Sequence, residues 1–123
     1  MPTGADLHWR YQHFPGLRPS IRADTIGHMG GFVYILTNRP NGTLYVGVTA
    51  ELAVRIHQHR EGCGSDFTRR YGLRRLVWYE HHSDIRSAIQ RETSLKRWPR
   101  AWKVRLILEM NPGWQDLYEI LAC

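Results

Sequence analysis

Two short apolar runs joined by an Asn-Gly turn constrain this chain more than any other feature. Gly31-Phe32-Val33-Tyr34-Ile35-Leu36-Thr37 is β-branched and aromatic, Arg39-Pro40-Asn41-Gly42 is a turn, and Leu44-Tyr45-Val46-Gly47-Val48 is the return run. Asn-Gly accepts the positive φ angles that a tight turn between twisted strands requires, so the pattern predicts an antiparallel hairpin. Gly47 is unusual inside a strand, because glycine weakens a strand unless something must approach closely there.

The hairpin sets the frame for the rest of the chain. Thr49 is placed to cap a helix from about Ala50 to Glu61, ended by Gly62, with Glu51 in its first turn and Leu52 and Ile56 on its buried face. Residues 62–72 hold three glycines and read as a loop containing Phe67-Thr68-Arg69-Arg70-Tyr71. Residues 74–81 read as a third strand around Leu76-Val77-Trp78-Tyr79. Ser83 or Asp84 opens a second helix that Pro99 ends. Pro99 also suits the first turn of a third, carrying Trp102, Val104, Leu106, Ile107 and Leu108 and stopped by Asn111-Pro112-Gly113. A short turn or helix covers 115–121. The expected class is α+β, a small three-stranded antiparallel-type sheet flanked by helices in the order β-β-α-β-α-α. Residues 1–29, with Pro2, Pro15 and Pro19 and no sustained periodicity, read as a flexible or loosely docked arm, and 30–123 as the folded domain.

Composition narrows the partner. The chain of 123 residues carries a net charge of +6, but Arg55 to Arg105 alone holds thirteen Lys or Arg against five Asp or Glu, a balance of +8. A field of that sign concentrates polyanions, and nucleic acid is the obvious one. No stretch approaches the roughly 20 apolar residues of a membrane span. Cys63 and Cys123 lack CxxC partners, which argues against a zinc site or structural disulfide and fits a reducing cytoplasm.

Several polar residues fall where apolar ones are expected. Ile85, Ala88, Ile89 and Glu92 lie at i, i+3, i+4 and i+7, so the Glu92 carboxylate sits on or beside a buried face and needs an arginine or a metal ion. Arg55 and His59 are neighbours one helical turn apart beside Leu52 and Ile56. A guanidinium fork for phosphate oxygens next to an imidazole that moves protons suits phosphate chemistry. His57 and His59 point different ways, as do His81 and His82, and neither pair suits a metal. The chain has no P-loop, GxGxxG or HExxH pattern.

These residues, in this order, resemble the GIY-YIG nuclease family, in its small single-domain bacterial branch. The family's two signature triplets correspond to Phe32-Val33-Tyr34 and Tyr45-Val46-Gly47, followed by Arg55 with His59 four residues later, and by Glu92 within Arg91-Glu92-Thr93-Ser94-Leu95-Lys96-Arg97. Phe32 stands where the first glycine is usual. Val104, beside Lys103, stands where several relatives carry an asparagine.

The resemblance implies a divalent-metal-dependent DNA endonuclease with Tyr34, Tyr45, Gly47, Arg55, His59 and Glu92 in the catalytic centre. Glu92 would hold Mg2+ or Mn2+. A tyrosine, either Tyr34 or Tyr45, would activate water, with nearby cations favouring phenolate and His59 able to take its proton. DNA would lie along Phe67, Arg69, Arg70, Tyr71, Arg74, Arg91, Lys96 and Lys103. Aromatics among arginines suit unstacked bases, hence single-stranded or branched DNA. Two alternatives keep the fold but not the activity: a nucleic-acid-binding module with a vestigial site, and a protein-interaction domain using Trp98, Trp102 and Trp114.

Overall fold

The hairpin forms where the turn chemistry places it. A computed structural model describes residues 30–122, the side chain of Ala122 excepted; the expected arm over 1–29 and Cys123 lie outside the described residues. Strand β1 (Gly31–Thr37) pairs antiparallel with β2 (Leu44–Thr49), and Asn41 takes the positive φ, 59°, that the turn demands. Strand β3 (Arg75–His82) pairs antiparallel with the other edge of β1, giving the order β2-β1-β3. The fold is therefore α+β, with a three-stranded antiparallel sheet between helices.

β1 is central and buried on both faces. Val33 and Ile35 point into one layer, closed by α3 (Ile85–Arg97) and α4 (Arg100–Met110). Tyr34 and Leu36 point into the other, where Leu52 and Ile56 of α1 (Leu52–Arg60) meet Leu117. The stripe on α3 packs as its spacing predicts: Ile85, Ala88, Ile89, Glu92 and Leu95 are all buried. Its Ile and Leu side chains each contribute about 1.5–3 kcal/mol on leaving water. The Asp84 side chain caps this helix by accepting from the Arg86 N–H.

Two local expectations are corrected, at Thr49 and over residues 62–72. Thr49 ends β2 rather than capping a helix. Its hydroxyl oxygen accepts the Glu51 N–H at 3.1 Å, Glu51 stays extended, and α1 starts only at Leu52. The expected loop over 62–72 contains a helix, α2 (Asp66–Tyr71). Ser65 caps it through the Thr68 N–H, and Gly72 ends it at φ +65°. The glycines flank this helix instead of dissolving it.

β3 carries an irregularity that its apolar run did not announce. Ile35 faces Trp78, yet Leu36 faces Leu76, so Val77 is an extra residue. Consecutive Val77 and Trp78 consequently enter the same layer. The Val77 carbonyl accepts from Asn111 Nδ2 at 3.1 Å, tying the turn after α4 to the bulge. Of the apolar residues that α4 carries, only Ile107 is fully enclosed; Trp102 and Leu108 are exposed. The chain ends in α5 (Tyr118–Ala122), and just before it Leu117 N–H and Asp116 Oδ1 bond Leu76 across the outer edge of β3.

Candidate active site

Hairpin register creates the first part of the site. Tyr34 and Gly47 are direct cross-strand partners, and a Cβ at Gly47 would overlap the outer edge of the Tyr34 ring. The close approach that the strand glycine suggested is thus made by a side chain of the same sheet. Tyr45 lies on that face too, its ring centroid 6.3 Å from that of Tyr34.

α1 supplies the second part. Leu52, Arg55, Ile56 and His59 are its buried residues, so the apolar pair carries the guanidinium and imidazole down onto the tyrosines. Tyr34 Oη is 2.9 Å from His59 Nε2, and the His59 ring is 5.7 Å from Tyr45. Arg55 Nη1 donates to Gln58 at 3.0 Å, and its charge acts on Tyr34, Tyr45 and His59.

α2 supplies a part that sequence reasoning missed. His59 Nδ1 is 3.0 Å from Thr68 Oγ1, which donates its only proton to the Ser65 carbonyl at 2.9 Å and accepts from Ser65 Oγ at 3.1 Å. With that proton committed, Thr68 accepts from His59 Nδ1–H. His59 Nε2 is then the lone-pair nitrogen that accepts the Tyr34 hydroxyl. Gly64 leaves room for the imidazole, since a Cβ there would overlap it. The readable signal was Ser65 three residues before Thr68, an N-cap spacing.

Burial sets the protonation states. Desolvation lowers His59 from 6.5 to about 4, with Arg55 adding to the shift, so the ring is neutral near pH 7. Desolvation also raises the Tyr34 phenol well above its usual value. Tyr45 pushes it further up, and Arg55 opposes both. Tyr45 is raised by burial as well, against hydrogen bonding from Ser65 and the charge of Arg55. At both tyrosines the cost of desolvation outweighs the help from Arg55, so Arg55 by itself does not produce a phenolate.

Glu92 has no solvent exposure, and its charge acts on both tyrosines. Lys96 Nζ lies 3.0 Å from its Oε2. Among the described residues no three His, Cys, Asp or Glu side chains cluster as a metal cage. A single carboxylate fits a hard cation that keeps most of its water and shares phosphate oxygens, as Mg2+ or Mn2+ does. It does not fit the closed ligand sets of structural zinc.

The residues read for nucleic acid divide into two groups. Phe67 stacks on Tyr45 at 6.2 Å and touches Tyr71 at 4.8 Å, with Arg70 over Tyr71, so rings run from buried Tyr34 outward. Phe67 and Tyr71 are almost half exposed, and Arg74 is exposed. Arg69, Arg91 and Lys96 instead meet carboxylates: Asp66 at 2.7 Å, Glu80 at 3.1 Å and Glu92. Lys103 is half-buried and lowered by desolvation, then by Arg100 and Lys96. Trp114 is buried and Trp98 half-buried beneath Arg91, so of the three tryptophans read as a docking surface only Trp102 is exposed. Cys63 is an exposed free thiol, and among the described residues no helix is long and apolar enough to cross a membrane.

The family model of the GIY-YIG catalytic domain matches residues 30–105. A UPF0213 protein of Clostridium perfringens is 40% identical over 76 residues, covering 62% of this chain and 81% of that one. A UPF0213 protein of Staphylococcus aureus is 33% identical over 78 residues, covering 63% and 94%. The solution NMR structure of a UPF0213 protein from Bacillus halodurans is 30% identical, covers 72% of this chain and 93% of its own, and superposes with a TM-score of 0.46. The match to the catalytic domain spans the hairpin, both tyrosines, Arg55, His59 and Glu92, and the chain belongs to the GIY-YIG nuclease family.

Proposed function

We propose that the chain is a divalent-metal-dependent DNA endonuclease that hydrolyses phosphodiesters, preferring single-stranded or branched DNA. The observation that carries this reading is the Tyr34–His59–Thr68 hydrogen-bond chain beside Arg55 and Glu92.

Tyr34 is the better base of the two tyrosines because its proton has somewhere to go. As the water oxygen bonds to phosphorus and the opposite P–O ester bond breaks, the water proton passes to Tyr34 Oη, the phenol proton passes to His59 Nε2, and the leaving alkoxide takes a proton from solvent. No resting phenolate is needed, which matters for a phenol that burial holds so firmly protonated. Thr68 keeps His59 in the tautomer that accepts. Arg55 stabilises the charge that develops on the phosphate oxygens. A divalent cation on Glu92 would supply further charge stabilisation and polarise the phosphate. Tyr45, the more accessible tyrosine, orients substrate and begins the run of rings through Phe67 and Tyr71 on which unpaired bases can stack.

The test is cleavage of labelled single-stranded, duplex and flap DNA with Mg2+, Mn2+ or EDTA. Glu92→Ala is expected to abolish cutting and retain binding. Tyr34→Phe is expected to slow the step about 10²–10⁴-fold, the usual worth of a general base, and Tyr45→Phe less. Equal cleavage by Glu92→Ala and wild type would refute the metal assignment. Binding without cleavage under every metal would instead support the vestigial module.

A further inference from the structure

We propose that Lys96 is a built-in place-holder for the cation at Glu92: its ammonium occupies the carboxylate until a divalent ion displaces it, and so sets the affinity for that ion. The proposal rests on the reading of Glu92 as the metal ligand.

The geometry comes first. Glu92 and Lys96 are one turn apart on α3, with Nζ 3.0 Å from Oε2, and the carboxylate is wholly buried while the lysine side chain is 42% exposed. Glutamate N-terminal to lysine at this spacing is the favourable order along a helix. The pair is thus anchored at the acid and open to solvent at the base.

A carboxylate taken out of water must be paired or protonated. Lys96 supplies pairing charge to the Glu92 carboxylate and holds it in position. The choice of lysine matters: a compact charge on a flexible four-carbon stem can swing out, whereas a guanidinium would hold both oxygens in a planar fork. Lys103 and Lys96 repel one another, which favours the departure of Lys96 once a divalent charge arrives. The released ammonium is then available to a phosphate, which reconciles its place on Glu92 with a position in the basic segment.

The cost of this arrangement is competition, which gives it a signature in metal affinity independent of catalysis. Neutralising Lys96 destabilises the metal-free protein more than the metal-bound one, so the apparent affinity must rise. The experiment is Mn2+ binding without DNA, by electron paramagnetic resonance of free Mn2+, with thermal unfolding in EDTA and in Mn2+. Wild type, Lys96→Met, Lys96→Gln, Lys96→Arg and Glu92→Gln are compared. Lys96→Met and Lys96→Gln are expected to bind Mn2+ about tenfold more tightly, with a lower Tm in EDTA and a larger upward shift in Mn2+. Lys96→Arg is expected to bind more weakly than wild type, and Glu92→Gln not at all. Binding that Glu92→Gln abolishes but Lys96→Met and Lys96→Gln leave unchanged or weaken overturns the place-holder and leaves the metal assignment standing. No Mn2+ binding by wild type or by either neutral variant overturns both.

Discussion

Tyr34 carries its ring over Gly47, so a single methyl group at that strand position competes with the candidate base for space. Gly47→Ala must push the phenol off its bond to His59 or spread the hairpin. A loss of about 1–3 kcal/mol in urea unfolding is expected, as for other overpacked cores, with cleavage falling further than stability. Unchanged cleavage would mean that the position of Tyr34 is not critical. His59 gives a second prediction through pH. Its folded value is about 4 against the ordinary 6.5 of an unfolded chain, so between those values the unfolded chain binds a proton that the native ring refuses. Stability from this residue is complete above 6.5 and drains away as pH falls toward 4, by of order 2 kcal/mol. Urea titrations at about pH 7 and about pH 4.5, either side of most of that window, should show a smaller acid loss in His59→Gln than in wild type. At this scale the sequence was informative where periodicity exposed a polar residue on an apolar face, as at Arg55, His59 and Glu92. The Ser65–Thr68 spacing could mark a helix start but not the meeting of Thr68 with His59, which lies nine residues away across a backbone path that no spacing rule fixes.

α2 shows why elements differ in legibility. The hairpin and α3 announce themselves through local chemistry, an Asn-Gly turn in one and a capped amphipathic stripe in the other. α2 has six residues, of which only Thr68 is buried, so it has almost no apolar stripe to read. Ser65, Gly72 and the packing of Phe67 on Tyr45 hold it instead. The bulge at Val77 was hidden for a related reason: an apolar run entering two covered layers looks the same with or without an extra residue. α2 links the centre to the outer surface, since Thr68 orients His59 while Phe67 and Tyr71 present rings outward. Phe67→Ala and Tyr71→Ala should therefore weaken binding of single-stranded DNA by about 1–3 kcal/mol for each stacked base lost. Duplex binding should change little. An equal loss on duplex would mean that the rings only pack the helix onto the domain.

Across the whole molecule, charge counting and charge placement lead to different expectations. The balance of +8 over Arg55 to Arg105 pointed to a polyanion, and the family assignment agrees with DNA. A tally treats every cation as available, however, and folding engages several of them. Of the six cations read for nucleic acid, Arg69, Arg91 and Lys96 face Asp66, Glu80 and Glu92, which leaves Arg70, Arg74 and Lys103 as the more available set. Sequence could not show this, because Arg91 and Glu80 meet only when α3 lies across the end of β3. The distinction is measurable through counterion release. For single strands, log K falls with log salt at about −0.7 per phosphate neutralised, so three contacts give a slope near −2 and six a slope near −4. Anisotropy titrations of a labelled single strand in EDTA, from low to moderate salt, should give the shallower value. Arg74→Ala should flatten it by about 0.7, the share of one contact, while Arg91→Ala should leave it in place and lower Tm instead. A slope near about −4 with equal flattening by both variants would mean that Glu80 yields Arg91 to the DNA, and that the acids within the basic segment hold its cations ready rather than withdraw them.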